Sequence, residues 1–242
     1  MKITDCPWEL SNLRKKTIEI TIENNDVCNK ELLSQIYEDY DYVVVKVPMH
    51  MIDFNYTLSS LGFVIMEVQH NIHSDLGTID ASDYASIYEN ITFEQVTTEE
   101  QMCELEKLIT QNMFSSDRIT LDKKFGKVVG RNRYVNWILN SFGSKMADIA
   151  LVLYQGQKVG FMMYQICNGV FHLILNGLFE NFQGKHLGII TPLSPYIFCK
   201  KKSCDVNIVE TSISSNNIPV VKLYNKLGFI LDSQTYVFVK HN

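Results

Sequence analysis

Apolar and polar residues alternate through TIEITIE (17–23), which predicts a strand, and fall at helical spacing in KELLSQIYEDY (30–40). DYVVVKVP (41–48) is β-branched and ends at Pro48, as a second strand would. Asp53 is placed to cap a helix carrying Phe54, Leu58 and Leu61, Gly62 to end it, and FVIMEVQHNI (63–72) to run on as an apolar strand. Residues 74–90 are polar and without period, and they read as a linker.

A second series begins at ITFEQV (91–96). Thr98 caps a helix with Met102, Leu105, Leu108 and Ile109 on its apolar face, and RYVNWILNSF (133–142) predicts another helix beyond a polar loop. Three strands follow, IALVLYQ, KVGFMMYQIC and VFHLILNGLF, the last two joined by an Asn168-Gly169 hairpin turn. The chain closes with a strand (206–213), a helix over IPVVKLYNKL (218–227) with Pro219 in its first turn, and a final strand from Gly228 onward.

Composition narrows what such a chain can do. With 46% apolar residues, 12 Gly and 5 Pro in 242 residues, there is material for one or two packed domains. The net charge of −5 has the wrong sign for a nucleic-acid binder. No run approaches the length of a membrane span, and Asp5, Pro7 and Glu9 occupy the place of a signal peptide's apolar run, so the expectation is a cytoplasmic protein without a membrane partner. The six cysteines are scattered as reduced thiols are. Only Cys199 and Cys204 lie close together, no second pair or nearby His completes a zinc site, and His50, His70 and His73 lack metal spacing, so no metal is expected.

Two stretches carry chemistry. ENFQGKHLGII places Gly184 and Gly188 between a strand and a helix, the arrangement in which backbone N–H groups and a helix N-terminus accept an anion, with Lys185 as an added charge. Read alone, such glycines also suit an ordinary turn. The second stretch, NIPVVKLYNKLGF (217–229), resembles the C-terminal signature of the GNAT N-acetyltransferases, and FQGKHLG (182–188) sits where that family has its Q/R-x-x-G-x-G/A pyrophosphate loop. The resemblance covers residues 91–242 and implies a GNAT fold: a central mixed, mostly antiparallel sheet flanked by helices. It implies acetyl-CoA as cosubstrate, with pantetheine bound by backbone groups around Leu178. Gln183, Gly184, Lys185, His186, Leu187 and Gly188 would cradle the pyrophosphate, and Asn217 would hold the helix start or the cofactor arm. Tyr224 would be the general acid that protonates the leaving thiolate.

Two features depart from the family pattern. His186 stands where members usually have Gly, and its imidazole either narrows the phosphate approach or donates a hydrogen bond to it. Pro192 and Pro195 fall in the helix after the loop, which they are expected to shorten or kink. Upstream, residues 117–142 resemble the corresponding segment of sugar-nucleotide N-acetyltransferases of the dTDP-fucosamine type, through Arg118, Asp122, Tyr134, Trp137 and Asn140. That resemblance implies a nucleotide-linked amino-deoxy sugar as the amine, surface-polysaccharide synthesis as the setting, and leaves a homodimer open.

Residues 58–68 (LSSLGFVIMEV) and 224–234 (YNKLGFILDSQ) share a Leu-Gly-Phe between a helix and a strand. The first third therefore reads as a degenerate half-repeat. In it Leu58 stands where Tyr224 stands in the second copy. The expected organisation is a smaller N-terminal α/β domain (1–73), a linker (74–90) and the acetyltransferase domain (91–242). The acceptor amine either loses its proton to water or gives it to a side chain such as His172, Asp122 or Glu180, and none is singled out. Competing functions are acetylation of another small amine and a catalytically silent module that binds acyl-CoA or a protein.

Overall fold

The computed structural model describes residues 1–79 and 81–242. In chain order its elements are β1 (Lys2–Asp5), α1 (Trp8–Leu13), β2 (Thr17–Thr21), α2 (Lys30–Tyr37), β3 (Tyr42–Pro48), α3 (Ile52–Ser60) and β4 (Val64–Asp75). There follow α4 (Ala85–Asn90), β5 (Ile91–Gln95), α5 (Glu99–Leu108), α6 (Arg118–Leu121), α7 (Gly126–Ser144), β6 (Asp148–Tyr154), β7 (Gln157–Cys167) and β8 (Val170–Leu178). The chain ends with α8 (Ile190–Lys202), β9 (Ile208–Ser214), α9 (Ile218–Lys226) and β10 (Ile230–His241).

All ten strands form one sheet in the order β1-β2-β3-β10-β4-β9-β8-β7-β6-β5. The pairs β2–β3 and β8–β9 are parallel and the rest antiparallel, so the central six strands repeat the same pattern outward from the β4–β10 pair. Each half sends its last strand across that centre: β10 pairs with β3, and β4 pairs with β9. The two units read at 1–73 and 91–242 thus share one sheet.

The Leu-Gly-Phe repeat is a repeat of backbone geometry. Both α3 and α9 end on a leucine near the bridge region (Leu61 φ −89, ψ 2; Leu227 φ −87, ψ 6) followed by a glycine at positive φ (Gly62 84, Gly228 77). The N–H of Phe63 donates to the Leu58 carbonyl at 3.0 Å, and that of Phe229 to the Tyr224 carbonyl at 3.1 Å, the Schellman closure of a helix. Leu58 and Tyr224 are both buried beneath the turn.

Three expectations need correction. The described residues of 74–90, 74–79 and 81–90, form elements: β4 runs on to Asp75, Leu76 and Ile79 are buried, a single 3₁₀ turn covers Ser82–Tyr84, and α4 packs Ile87 and Tyr88 on the core. The helix expected at 133–142 begins a full two turns earlier, at Gly126, on a polar stretch whose register is set by packing against α1 and β6. The prolines do not shorten α8, which is continuous over 13 residues. Pro192 is the third helical residue, where no intrahelical acceptor is lost. Pro195 leaves the Thr191 carbonyl without its i+4 donor, and the Asn176 side chain fills the vacancy at 2.9 Å.

Candidate active site

β8 and β9 run parallel and paired from Val170↔Ile208 to Leu173↔Thr211, and there the pairing stops. On the other side of β8, the register with β7 jumps at Ile174, a bulge that bends the strand just where it leaves β9. The strands part like a V, and Ile174–Leu178 present an unpaired edge to a cavity of about 750 Å³. An extended ligand arm can add to such an edge as a strand does.

One wall of the cavity is the loop before α8. Gln183 and Gly184 line it, the Gln183 amide donating to the Leu178 carbonyl at 3.1 Å, and Gly188 and Thr191 continue it. The loop turns through left-handed backbone twice, at Gly184 (φ 72) and at His186 (φ 61). The position where the resembled motif has glycine is therefore one that demands positive φ, and histidine occupies it with an exposed side chain. Gly188 is needed for a different reason: a Cβ there would stand 3.2 Å from the Leu223 side chain of α9. The lysine run at Lys200–Lys202 ends α8 roughly 20 Å from this loop by helical rise, with Lys201 donating to the Ile91 carbonyl at 2.7 Å.

The α9 wall contributes Asn217, Pro219, Val220 and Leu223. Asn217 stands at the N-cap of α9 but makes no capping hydrogen bond with its side chain. Tyr224 lies behind this wall, 1% exposed, its ring edge-on to Phe229 at 4.8 Å. Its hydroxyl reaches the side chains of Asn176 and Thr211, both of which line the cavity. Thr211 donates its own hydroxyl proton to the Leu173 carbonyl at 2.8 Å. Burial pushes the Tyr224 pKa above the ordinary tyrosine value, against the two hydrogen bonds, so the phenol is protonated at neutral pH.

The opposite end of the cavity is charged and comes largely from outside the motifs. β2 supplies Glu19, β3 Lys46 and β4 Glu67 and Gln69, while Asp117, Arg118, Arg133, Tyr134 and Trp137 arrive from α6, α7 and the turn before them. Lys46 bonds Glu19 at 2.8 Å, and Arg133 bonds Glu9 at 2.7 Å. Tyr134 stacks on Phe114 at 4.2 Å to form an aromatic wall.

Of the site residues expected from the sequence, Leu178, Gln183, Gly184, Gly188 and Asn217 line one cavity, Lys185, His186 and Leu187 lie in the loop beside it, and Tyr224 is buried one layer below. None of the three side chains weighed as base reaches it. His172 is held by Glu210 at 2.5 Å and by Cys167 at 3.1 Å, Asp122 by His241 at 2.7 Å, and Glu180 by Asn112 at 2.8 Å. Glu67 was missed; its one signal is a carboxylate set among the apolar residues that open β4, Val64, Ile65, Met66 and Val68. Among the described residues, no three His, Cys, Asp or Glu side chains are grouped to hold a metal, and no helix is long and apolar enough to cross a membrane.

No protein-family model matches the sequence, and no curated protein matches it. Solved structures do. A functionally unknown conserved protein from Staphylococcus epidermidis superposes with TM-score 0.62 at 13% identity, over 94% of this chain and 85% of its own. A GCN5-related N-acetyltransferase from Kribbella flavida gives 0.57 at 11% identity, over 93% and 80%. A tandem GNAT protein from the clavulanic acid biosynthesis pathway gives 0.56 at 12% identity, over 88% and 67%. The chain thus has the fold of the GCN5-related N-acetyltransferases, built from two halves that share one sheet.

Proposed function

We propose that the chain is an N-acyltransferase that moves an acetyl group from acetyl-CoA to the amine of a small molecule. The observation that carries this reading is the parting of β8 from β9 after Leu173 and Thr211 over a cavity of about 750 Å³, with the α8 loop on one side and charged residues at the far end. Such a volume suits a small-molecule site. The pantetheine arm would pair with the free edge of Ile174–Leu178, and the pyrophosphate would lie on Gln183–Gly188 at the start of α8.

The amine attacks the thioester carbonyl, whose oxygen is polarised by backbone N–H at the Leu178 end of the edge. Tyr224 supplies the proton that the departing thiolate needs, through a hydroxyl already oriented by Asn176 and Thr211. For the acceptor we read a nucleotide-linked amino-deoxy sugar, because Arg118, Tyr134 and Trp137, three of the residues that carry the resemblance to that enzyme type, line the cavity.

One observation favours a silent acyl-CoA-binding module instead: Tyr224 is buried rather than on the cavity surface. Thiol release from acetyl-CoA in the presence of amine acceptors decides between them. Tyr224→Phe is expected to lower turnover about a hundredfold with acetyl-CoA affinity within twofold of the parent. Equal turnover in the two proteins removes Tyr224 from the mechanism, and no thiol release with any amine supports the silent module.

A further inference from the structure

The charged end of the cavity contains six charged side chains, Glu19, Lys46, Glu67, Asp117, Arg118 and Arg133, and their partners sort them. Glu19 is taken by Lys46 at 2.8 Å, Arg133 by Glu9 at 2.7 Å, and Asp117 by the α6 backbone, accepting from Ile119 N–H at 2.9 Å and Thr120 N–H at 3.2 Å. Two remain with unspent capacity. Arg118 approaches Glu19 only at 3.8 Å, its side chain is 16% exposed, and its Nε is buried with no hydrogen-bond partner among the described residues. A buried guanidinium donor without an acceptor is costly unless a ligand completes it.

Glu67 is the second. It reaches the cavity because β4 crosses from the first half to lie between β10 and β9, where Glu67 is opposite Val237 and within reach of the Ser214 side chain. Resting on the N-acyltransferase reading, we propose that this end of the cavity selects an amine that carries an oxyanion of its own, the oxyanion anchored by Arg118 and the amine presented to Glu67, which takes its proton.

The chemistry balances. The acceptor enters as an ammonium ion and gives one proton to the Glu67 carboxylate, which frees the nitrogen lone pair. Nitrogen forms its bond to the thioester carbon, the C–S bond breaks with its electrons on sulfur, and the second nitrogen proton offsets the one that sulfur receives. Glu67 returns its proton to solvent. Burial holds the Glu67 carboxyl above the ordinary carboxylate range, against the Ser214 hydrogen bond and the positive charges of Arg118 and Lys46 and with a small push from Asp117. A base so poised is matched to an ammonium better than an exposed carboxylate is. A carboxylate on an amino acid and a phosphate on a nucleotide sugar present the same oxyanion to Arg118.

The test compares acceptors in pairs by thiol release from acetyl-CoA: an α-amino acid against its decarboxylated amine, and a nucleotide-diphosphate amino sugar against the free amino sugar. In at least one pair the anionic member is expected to lead by about tenfold or more in kcat/KM, the worth of one charge-assisted hydrogen bond. Which pair shows it tells carboxylate from phosphate. Arg118→Gln should reduce that ratio below threefold, and its removal of a positive charge near Glu67 should move the acidic limb of the pH profile upward. Glu67→Gln should lower kcat about a hundredfold with KM within threefold and abolish the acidic limb of the pH profile. This variant removes a charge that burial disfavours, so the fold is expected to survive it. Equal kcat/KM for both members of both pairs, or a Glu67→Gln enzyme within threefold of the parent at every pH, overturns the inference and leaves the N-acyltransferase reading standing. A chain that binds no acetyl-CoA overturns both.

Discussion

His186 shows what a single backbone angle costs and what it identifies. At φ 61 its backbone occupies the left-handed region, which disfavours a side chain and which glycine enters freely. His186→Gly is therefore expected to raise the melting temperature by a few degrees, equivalent to about 1 kcal/mol, since the exposed imidazole has little packing to lose. The same variant measured for CoA affinity separates the two roles the sequence left open: tighter binding if the imidazole only fills space, weaker binding if it donates to a phosphate. The loop's glycines were legible from spacing alone. The burial of Tyr224 was not, because helical periodicity places a residue on a face without saying how deep that face lies.

Among elements, α8 explains itself through its prolines. Two carbonyls at its start take side-chain donors: Thr191 Oγ1 donates to the Gly188 carbonyl at 2.8 Å, and Asn176 Nδ2 to the Thr191 carbonyl that Pro195 frees. The second bond fixes a residue of the open β8 edge against α8, and the remaining face of that amide is toward Tyr224. Pro195→Ala restores an N–H that competes for the Thr191 carbonyl and releases Asn176. Helix propensity predicts an unchanged or higher melting temperature, while turnover is expected to fall several-fold. A parallel rise or constancy of both would show that the Asn176 bond has no part in catalysis. Sequence reasoning found the prolines and read them as damage, since the acceptor they set free is bonded by a residue 15 positions away. It found α5 whole, because the Thr98–Gln101 capping box and the apolar stripe are local signals. It lost the first two turns of α7 and all of α4, whose few apolar residues are held by partners distant in sequence.

For the whole molecule, the decisive feature is the crossing of β4 and β10. The repeat of helix, Leu-Gly-Phe and strand was visible in the sequence, but the partner of each final strand was not, because a strand's pattern reports its faces and not its neighbours. Crossing has a consequence for stability. Residues 91–242 expressed alone would lack β4, exposing the edge of β9 and leaving β10 without either neighbour. That fragment is expected to aggregate or remain unfolded, and co-expression with residues 1–90 to recover a soluble complex. A fragment that is monomeric and shows a cooperative thermal transition by itself would contradict it. Crossing also explains why the charged end of the cavity draws Glu19, Lys46 and Glu67 from the first half: what reads as an accessory unit completes the site.

Every claim about this cavity depends on the open edge of β8 accepting acetyl-CoA. Calorimetric titration of the full chain with acetyl-CoA, and separately with CoA, tests that most directly. The account predicts one site per chain with micromolar dissociation constants for both ligands, weakened by Gly188→Val, whose side chain would press on Leu223. No detectable heat at millimolar ligand, with the protein folded, would contradict it.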